Sequence, residues 1–143
     1  MRDILFRGKR KDNGKWIEGY FVMVNPVDMP IRHRKPKAVI FPIESECNWF
    51  NKFFYHAIEV LPETVGQFTG LIDIRGNKIY EGDIHGLPGW IVTYCADTNE
   101  SEDMHAGWYV QRDNWESWIP LENITEHEII GNVHDTPELM EEE

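Results

Sequence analysis

Turn signals recur so often along most of this chain that a long helix has little room. Within 49–61 Phe50, Phe53, Phe54, Ala57, Ile58 and Leu61 fall at helical spacing, but the aromatic and β-branched content of 54–60 favours a strand. Asn13-Gly14, Asn25-Pro26, Met29-Pro30, Gly66, Gly70, Arg75-Gly76-Asn77, Gly82 and Pro88-Gly89 cut the sequence into short runs rich in β-branched and aromatic residues. Glycine and proline at this density mark turns, and runs of four to eight β-prone residues between turns read as strands. The opening residues give a hairpin: Ile4, Phe6 and Gly8 alternate with Leu5 and Arg7, and residues 16–22 form the return strand. Asn13-Gly14 supplies the turn, since both residues tolerate positive φ. Further strands are expected at 38–41 (stopped by Pro42), 54–60, 66–70, 71–74, 78–80, 90–95, 107–112, 115–121 and 128–133, with short helical turns at 46–52 and 62–64. Glu81-Gly82-Asp83-Ile84 starts a strand with Ile84 inward and Asp83 near a rim, and residues 97–106 form an acidic loop. Asp135-Thr136-Pro137 is a cap-then-proline helix start running into an acidic tail. Many short strands and only fragments of helix define an all-β protein, a small barrel or coiled sheets.

With 143 residues the chain is one structural unit or two small lobes. The expected regions are 1–60 for the N-terminal hairpin and sheet, 61–134 for a barrel region, and 135–143 for a short helical or disordered acidic tail. Aromatics make up 13% of the residues, including six tryptophans, which excludes a disordered chain. The longest run without Asp, Glu, Lys or Arg, residues 84–96, has 13 residues and contains glycine and proline. A membrane-spanning helix needs about 20 apolar residues, and the first residues lack the apolar core of a signal peptide. The expectation is therefore a soluble cytoplasmic protein without a membrane partner. Cys47 and Cys95 stand far apart with no paired-cysteine motif, and read as reduced thiols packed as small apolar groups.

Three blocks of sequence, taken together, are distinctive. They are Phe6-Arg7-Gly8 with Asn13-Gly14-Lys15-Trp16-Ile17-Glu18-Gly19-Tyr20; Pro62-Glu63-Thr64-Val65-Gly66-Gln67-Phe68-Thr69-Gly70-Leu71 with Asp73, Gly76 and Ile79-Tyr80-Glu81-Gly82-Asp83-Ile84; and Ile129-Ile130-Gly131-Asn132-Val133 with Pro137-Glu138-Leu139. In order and content they resemble the YopX family of phage and prophage proteins, over nearly the whole chain except residues 23–55. The resemblance implies coiled β-sheets containing an SH3-like barrel, and it brings no catalytic residues to this chain. Read physically, the central block is a fold signature in which glycines mark sharp bends, while Thr64 and Gln67 supply hydrogen bonds to turns. Such signatures do not by themselves carry function.

Net charge is −11 and unevenly spread: residues 1–38 hold ten Lys and Arg against four acids, and residues 39–143 hold four against 21. The plainest reading of such a split is a solvated surface, because exposed ion pairs contribute only about 0–1 kcal/mol. Two sharper readings stand beside it. Arg7, Lys9, Arg10, Lys11 and Lys15 lie next to Trp16 and Tyr20, and Arg32, Arg34, Lys35 and Lys37 form a second cluster. A hairpin presenting these residues would grip phosphates or meet the acidic part of another subunit. The acidic remainder opposes a polyanion, which makes nucleic acid the weaker partner. Trp108, Trp115 and Trp118, beside Tyr109, Asp113 and Glu116, make a candidate protein interface against the plainer reading of core packing.

Candidate chemistry is sparse. His33, His56, His85, His105, His127 and His134 show no metal-ligand spacing; Asp83 and His85 would share a strand face, but a site needs a third ligand such as His105. Cys95 has no assignable base, and nucleophile-elbow, phosphate-loop and dinucleotide motifs are missing. With 25 acids some carboxylate pair always looks suitable, so that count decides nothing. The expected function is non-enzymatic and cofactor-free: an accessory protein working through protein contacts, with itself or a host component. Nucleic-acid binding through the basic hairpin is the alternative.

Overall fold

The computed structural model describes residues 4–25, 35–42, 57–96, 106–111, 118–124 and 126–140. The expected helical turn at 46–52 and most of the loop at 97–106 lie outside these residues. Among the described residues eleven strands are present: β1 Phe6–Lys9, β2 Trp16–Val24, β3 Lys37–Pro42, β4 Ile58–Glu59, β5 Gly66–Ile72, β6 Lys78–Tyr80, β7 Asp83–His85, β8 Ile91–Cys95, β9 Gly107–Gln111, β10 Trp118–Pro120 and β11 Ile129–Asn132. The helical fragments among these residues are the 3-10 turns Pro62–Thr64, Leu121–Asn123 and Pro137–Met140. All the strand pairings are antiparallel. The chain divides into two compact units, Met1–Gln67 and Phe68–Glu143, so that β5 begins in the first and ends in the second.

In the first unit the order is β4-β3-β2-β1, followed by the start of β5, which pairs Gly66 and Gln67 with Arg7 and Phe6. The β1–β2 connection is a four-residue loop: Arg10 and Lys15 close it, and Gly14 N–H donates to Arg10 O at 2.9 Å. Only Gly14 takes positive φ, at 72°, with no non-glycine residue joining it. The expected two-residue Asn-Gly turn is thus replaced by a longer loop whose last residue is left-handed, the usual build for this loop length. Asn13 contributes its side chain instead, accepting from Lys15 N–H at 2.9 Å. The Pro62–Thr64 turn is tied to β1, because Thr64 Oγ1 accepts from Lys9 N–H at 2.9 Å and donates to Leu61 O at 2.6 Å. Ala38, Ile40 and Val60 form the core, with Ile17, Phe21 and Val65 packed against them. Phe6 stacks on Phe21 with ring centroids 5.4 Å apart.

In the second unit the sheet runs β10-β9-β8-β7-β11, and β6 pairs with β5. Its core is Ile79, Val92, Val110 and Leu121, flanked by Leu71, Trp90, Trp108, Ile124 and Ile129. The β5–β6 register slips between Phe68 and Ile72, where Gly70 sits at φ 87°. A bulge needs a residue that tolerates this conformation; buried Thr69 fills the gap in the ladder by donating to Ile79 O at 2.8 Å. Among the described residues neither unit's sheet pairs its end strands with each other. The all-β expectation therefore holds, while a closed SH3-like barrel does not form there. No helix among the described residues is long and apolar enough to cross a membrane.

Candidate functional site

Successive side chains on a strand alternate between faces, and residues directly opposite on neighbouring strands share a face. The first unit's registers Lys9↔Trp16, Arg7↔Glu18, Tyr20↔Phe41, Val22↔Val39 and Val24↔Lys37 therefore place these side chains on one face. Ile17, Gly19, Phe21, Ala38 and Ile40 go to the other, which is the core face. Burial follows this alternation only over the first part of β2, where Gly19 is buried and Tyr20 is 51% exposed; beyond it Val22, Met23 and Val24 are 44%, 47% and 42% exposed, while Val39, opposite Val22, is buried. Scattered exposed apolar residues are normal, but three at alternate positions of one strand form a continuous strip.

Charged side chains of both signs flank that strip, with Glu18 opposite Arg7 and Glu59 opposite Val39 on the same face. At one end Arg7 and Lys9 lie over the Trp16 ring, with the Arg7 guanidinium 4.6 Å and the Lys9 ammonium 5.4 Å from its centroid. Cation–π contacts at partly exposed sites contribute about 0.5–1 kcal/mol each. At the other end Lys37 stands opposite Val24, with Lys35 beside it in the chain; both are exposed. Two further cations of the basic hairpin pair with acids of the same unit. Arg10 makes a two-pronged bond to Asp12, at 2.9 and 2.8 Å, and this bond holds the Asp12 carboxyl below its usual range. Lys11 pairs with Glu59 at 3.2 Å. These four side chains, with Ala57 and Ile58, line an open depression of about 370 Å³ whose two cations and two anions balance. Lys15 is exposed in the loop; Arg32 and Arg34 lie outside the described residues. Of the ten residues the sequence singled out here, Arg7, Lys9 and Trp16 are brought together, Lys37 shares their face, and Arg10 and Lys11 turn toward the depression.

The aromatic cluster of the second unit does not make one surface. Trp108 pairs with Tyr94 across β8 and β9 and packs on the core, with ring centroids 5.1 Å apart. Trp118 is opposite Gln111, on the other face, where its ring meets Tyr109 at 5.9 Å. Trp115 lies outside the described residues.

The central motif is occupied by main-chain bonding. Asp73 Oδ1 accepts from the N–H groups of Arg75 and Asn77 at 2.9 and 2.8 Å, and Oδ2 accepts from Ile129 N–H at 3.0 Å. It thereby closes the β5–β6 turn and fastens it to β11. Asp83, expected near a rim, is 1% exposed, and its carboxylate accepts from Tyr80 N–H at 2.8 Å. The tight turn from Tyr80 through Gly82 draws that carboxylate inward to reach the main chain. His85 shares its strand face and is equally buried; its Nε2–H donates to Ile124 O at 2.8 Å. His105 lies outside the described residues. Cys95 is half-buried and in no disulfide, and Cys47 is likewise outside.

The residues missed in the sequence are Val22 and Val24. The signal was there, since the alternate positions 16, 18, 20, 22 and 24 carry Trp, Glu, Tyr, Val and Val. Nothing in the local sequence says which of two largely apolar faces is left uncovered.

Fold and site together define an antiparallel β-protein of two compact units, the first bearing on β2 a run of exposed apolar side chains with charged groups of both signs beside it. A family model described as "YopX protein" matches residues 5–141, and the chain belongs to that family. Among solved structures, the crystal structure of protein EF1440 from Enterococcus faecalis is similar at 18% identity, covering 99% of this chain and 100% of that one, with a TM-score of 0.44. No curated protein matches.

Proposed function

We propose that this chain is a phage- or prophage-encoded accessory protein without enzymatic activity, working in the bacterial cytoplasm through protein contacts made by the outer face of its first unit. The observation that carries this reading is the run Tyr20, Val22, Met23 and Val24, exposed on an ordered sheet, with Arg7, Glu18, Lys9 and Lys37 beside it. An apolar centre with a polar rim is the anatomy of a protein-binding patch. Family membership supports the phage or prophage origin.

Nucleic-acid binding is the second reading, and what favours it is the placing of two cations beside Trp16, as on a stacking platform. It is the weaker one. Arg10 and Lys11 already hold Asp12 and Glu59, and the exposed strip beyond Trp16 offers one ring, Tyr20, followed by two valines.

Affinity capture from a cell lysate, with the wild type and Val22→Glu side by side, tests the proposal. Proteins held by the wild type and lost by V22E are the expected result. Capture that V22E leaves unchanged overturns the outer face as the contact surface, and salt-sensitive retention of single-stranded DNA lost on Trp16→Ala puts the second reading in its place.

A further inference from the structure

Asparagine is a chemically labile residue where the nitrogen of the next peptide can reach its side-chain carbonyl carbon. Attack there closes a five-membered ring, and reactions within one molecule need no encounter of two. The following residue controls access, since its side chain crowds that nitrogen and glycine has none. The chain has nine asparagines, and Asn13 is the one followed by glycine.

The fold leaves this pair open to water and arranges it. Asn13, Gly14 and Lys15 are all exposed in the β1–β2 loop, and a Cβ built on Gly14 would meet nothing within 4 Å. Asn13 Oδ1 accepts from Lys15 N–H at 2.9 Å, which turns the side-chain amide back along the main chain. Negative charge gathers on that same oxygen when the Gly14 nitrogen attacks, so a donor is already in place where charge develops. The Asn13 side-chain nitrogen, which has to leave, has no hydrogen-bond partner among the described residues. Asn77 and Asn132 differ on both counts: Lys78 and Val133 follow them, and their side-chain nitrogens donate to Asp73 and Asp135. One contact opposes the reaction at Asn13. Gly14 N–H donates to Arg10 O at 2.9 Å, and the nitrogen attacks only after losing that proton. A neutral exposed bond of this kind biases an equilibrium by no more than about tenfold, and surface loops open locally far more readily than the whole fold.

We infer that Asn13 is a site of spontaneous modification, converted in the folded protein to isoaspartate and aspartate with water as the co-reactant. The Gly14 nitrogen, its proton passed to solvent, bonds to Asn13 Cγ. The Cγ–Nδ2 bond breaks, and ammonia leaves with a proton taken from water, giving a cyclic imide. Water then opens the imide. Breaking the bond from nitrogen to Cγ gives aspartate, and breaking the bond to the main-chain carbonyl carbon gives isoaspartate, with Cγ now in the main chain. Residues 7–15 carry five Lys and Arg against Asp12, a net of +4, and either product lowers it to +3. In isoaspartate the main chain is also longer by one carbon before Gly14, which displaces the Gly14 N–H from Arg10 O. Molecules of different age therefore differ in charge and shape at the hairpin loop. This chemistry is independent of what the outer face binds.

Incubation of the full chain in neutral and in mildly alkaline buffer made with heavy-oxygen water, followed by peptide mapping with mass spectrometry, tests the inference. Chromatography separates the isoaspartyl from the aspartyl peptides, and a synthetic peptide of residues 10–15 incubated alongside gives the rate without the fold. The expected result is heavy oxygen entering at position 13 ahead of every other asparagine, at a rate within about tenfold of the peptide's. Conversion is expected to run faster in the alkaline buffer, because the attacking nitrogen must lose a proton, and several-fold slower with Gly14→Ala in chain and peptide alike. The G14A peptide keeps this comparison available if the G14A chain does not fold. Position 13 left unlabelled, or labelled more than about tenfold slower than the peptide, overturns the inference, since the loop then protects its amide. Conversion that Gly14→Ala leaves unchanged in the peptide overturns it as well, because the Gly14 nitrogen is then not the attacking group.

Discussion

Asp73 shows at the scale of one side chain what the central motif does. Its carboxylate is 4% exposed and carries no cation partner in the bonds that hold it, only N–H groups. Burial, the largest single influence, pushes its pKa up. The N–H groups of Ile129 and Asn77, the Asn77 side-chain amide and the Arg75 N–H together outweigh burial and hold it below the usual aspartate value. The folded protein therefore prefers the ionised form. The stability this contributes is present above the usual aspartate range and is lost as pH falls through the lowered value. Asp73→Asn keeps the shape but turns an acceptor into a donor facing Ile129 N–H, at a cost of about 2 kcal/mol or more at neutral pH. Urea unfolding at stepped pH checks this: the gap between wild type and D73N is expected to be widest near neutrality and to narrow in acid. A gap independent of pH contradicts the assignment. The turn itself was legible, since Asp followed by Gly and Asn at short spacing is a side-chain-capped turn. The bond to Ile129 was not, because it joins residues 56 apart in sequence.

At the scale of elements, the first unit depends on how closely β2 and β3 approach. A Cβ at Gly19 would run into the Phe41 carbonyl, whereas a Cβ at Gly14 meets nothing within 4 Å and is penalised only by the positive φ of 72°. Gly19→Ala is thus expected to cost about 3 kcal/mol or more by forcing the strands apart. Gly14→Ala costs about 1–2 kcal/mol. Thermal unfolding of the two variants distinguishes them, and equal losses would contradict the pairing described. Strand positions were largely readable from glycine and β-branched residues, as β2, β3, β8 and β9 show. Their partners were not. Closure into a barrel depends on whether the end strands meet, which is set by twist and register over the whole sheet; among the described residues β10 and β11 end the second unit's sheet without pairing to each other. The burial of Asp83 was missed for a similar reason: alternation gives the face of a side chain, while depth is fixed by what packs over it. The ion pairs behave likewise, since Arg10–Asp12 is local in sequence and Lys11–Glu59 spans 48 residues.

At the scale of the whole molecule, the charge split and the exposed strip are two views of one property. The half that carries excess positive charge also leaves apolar side chains on an ordered sheet in water. That arrangement costs solubility, and its persistence in a folded chain is explained when the strip is covered part of the time. The basic cluster was visible in the sequence, but its division was not: Arg7 and Lys9 gather at Trp16 and Lys37 shares that face, while Arg10 and Lys11 are held by neighbouring carboxylates. The contact role of this face is the claim on which the rest depends. Site-specific photo-crosslinking in cells tests it most directly, with the photoreactive residue placed at Val22 on the strip or at Glu63, an exposed position of the same unit. The account predicts protein adducts from position 22 and none above background from position 63. No adduct at 22, or equal adducts at both, would contradict it.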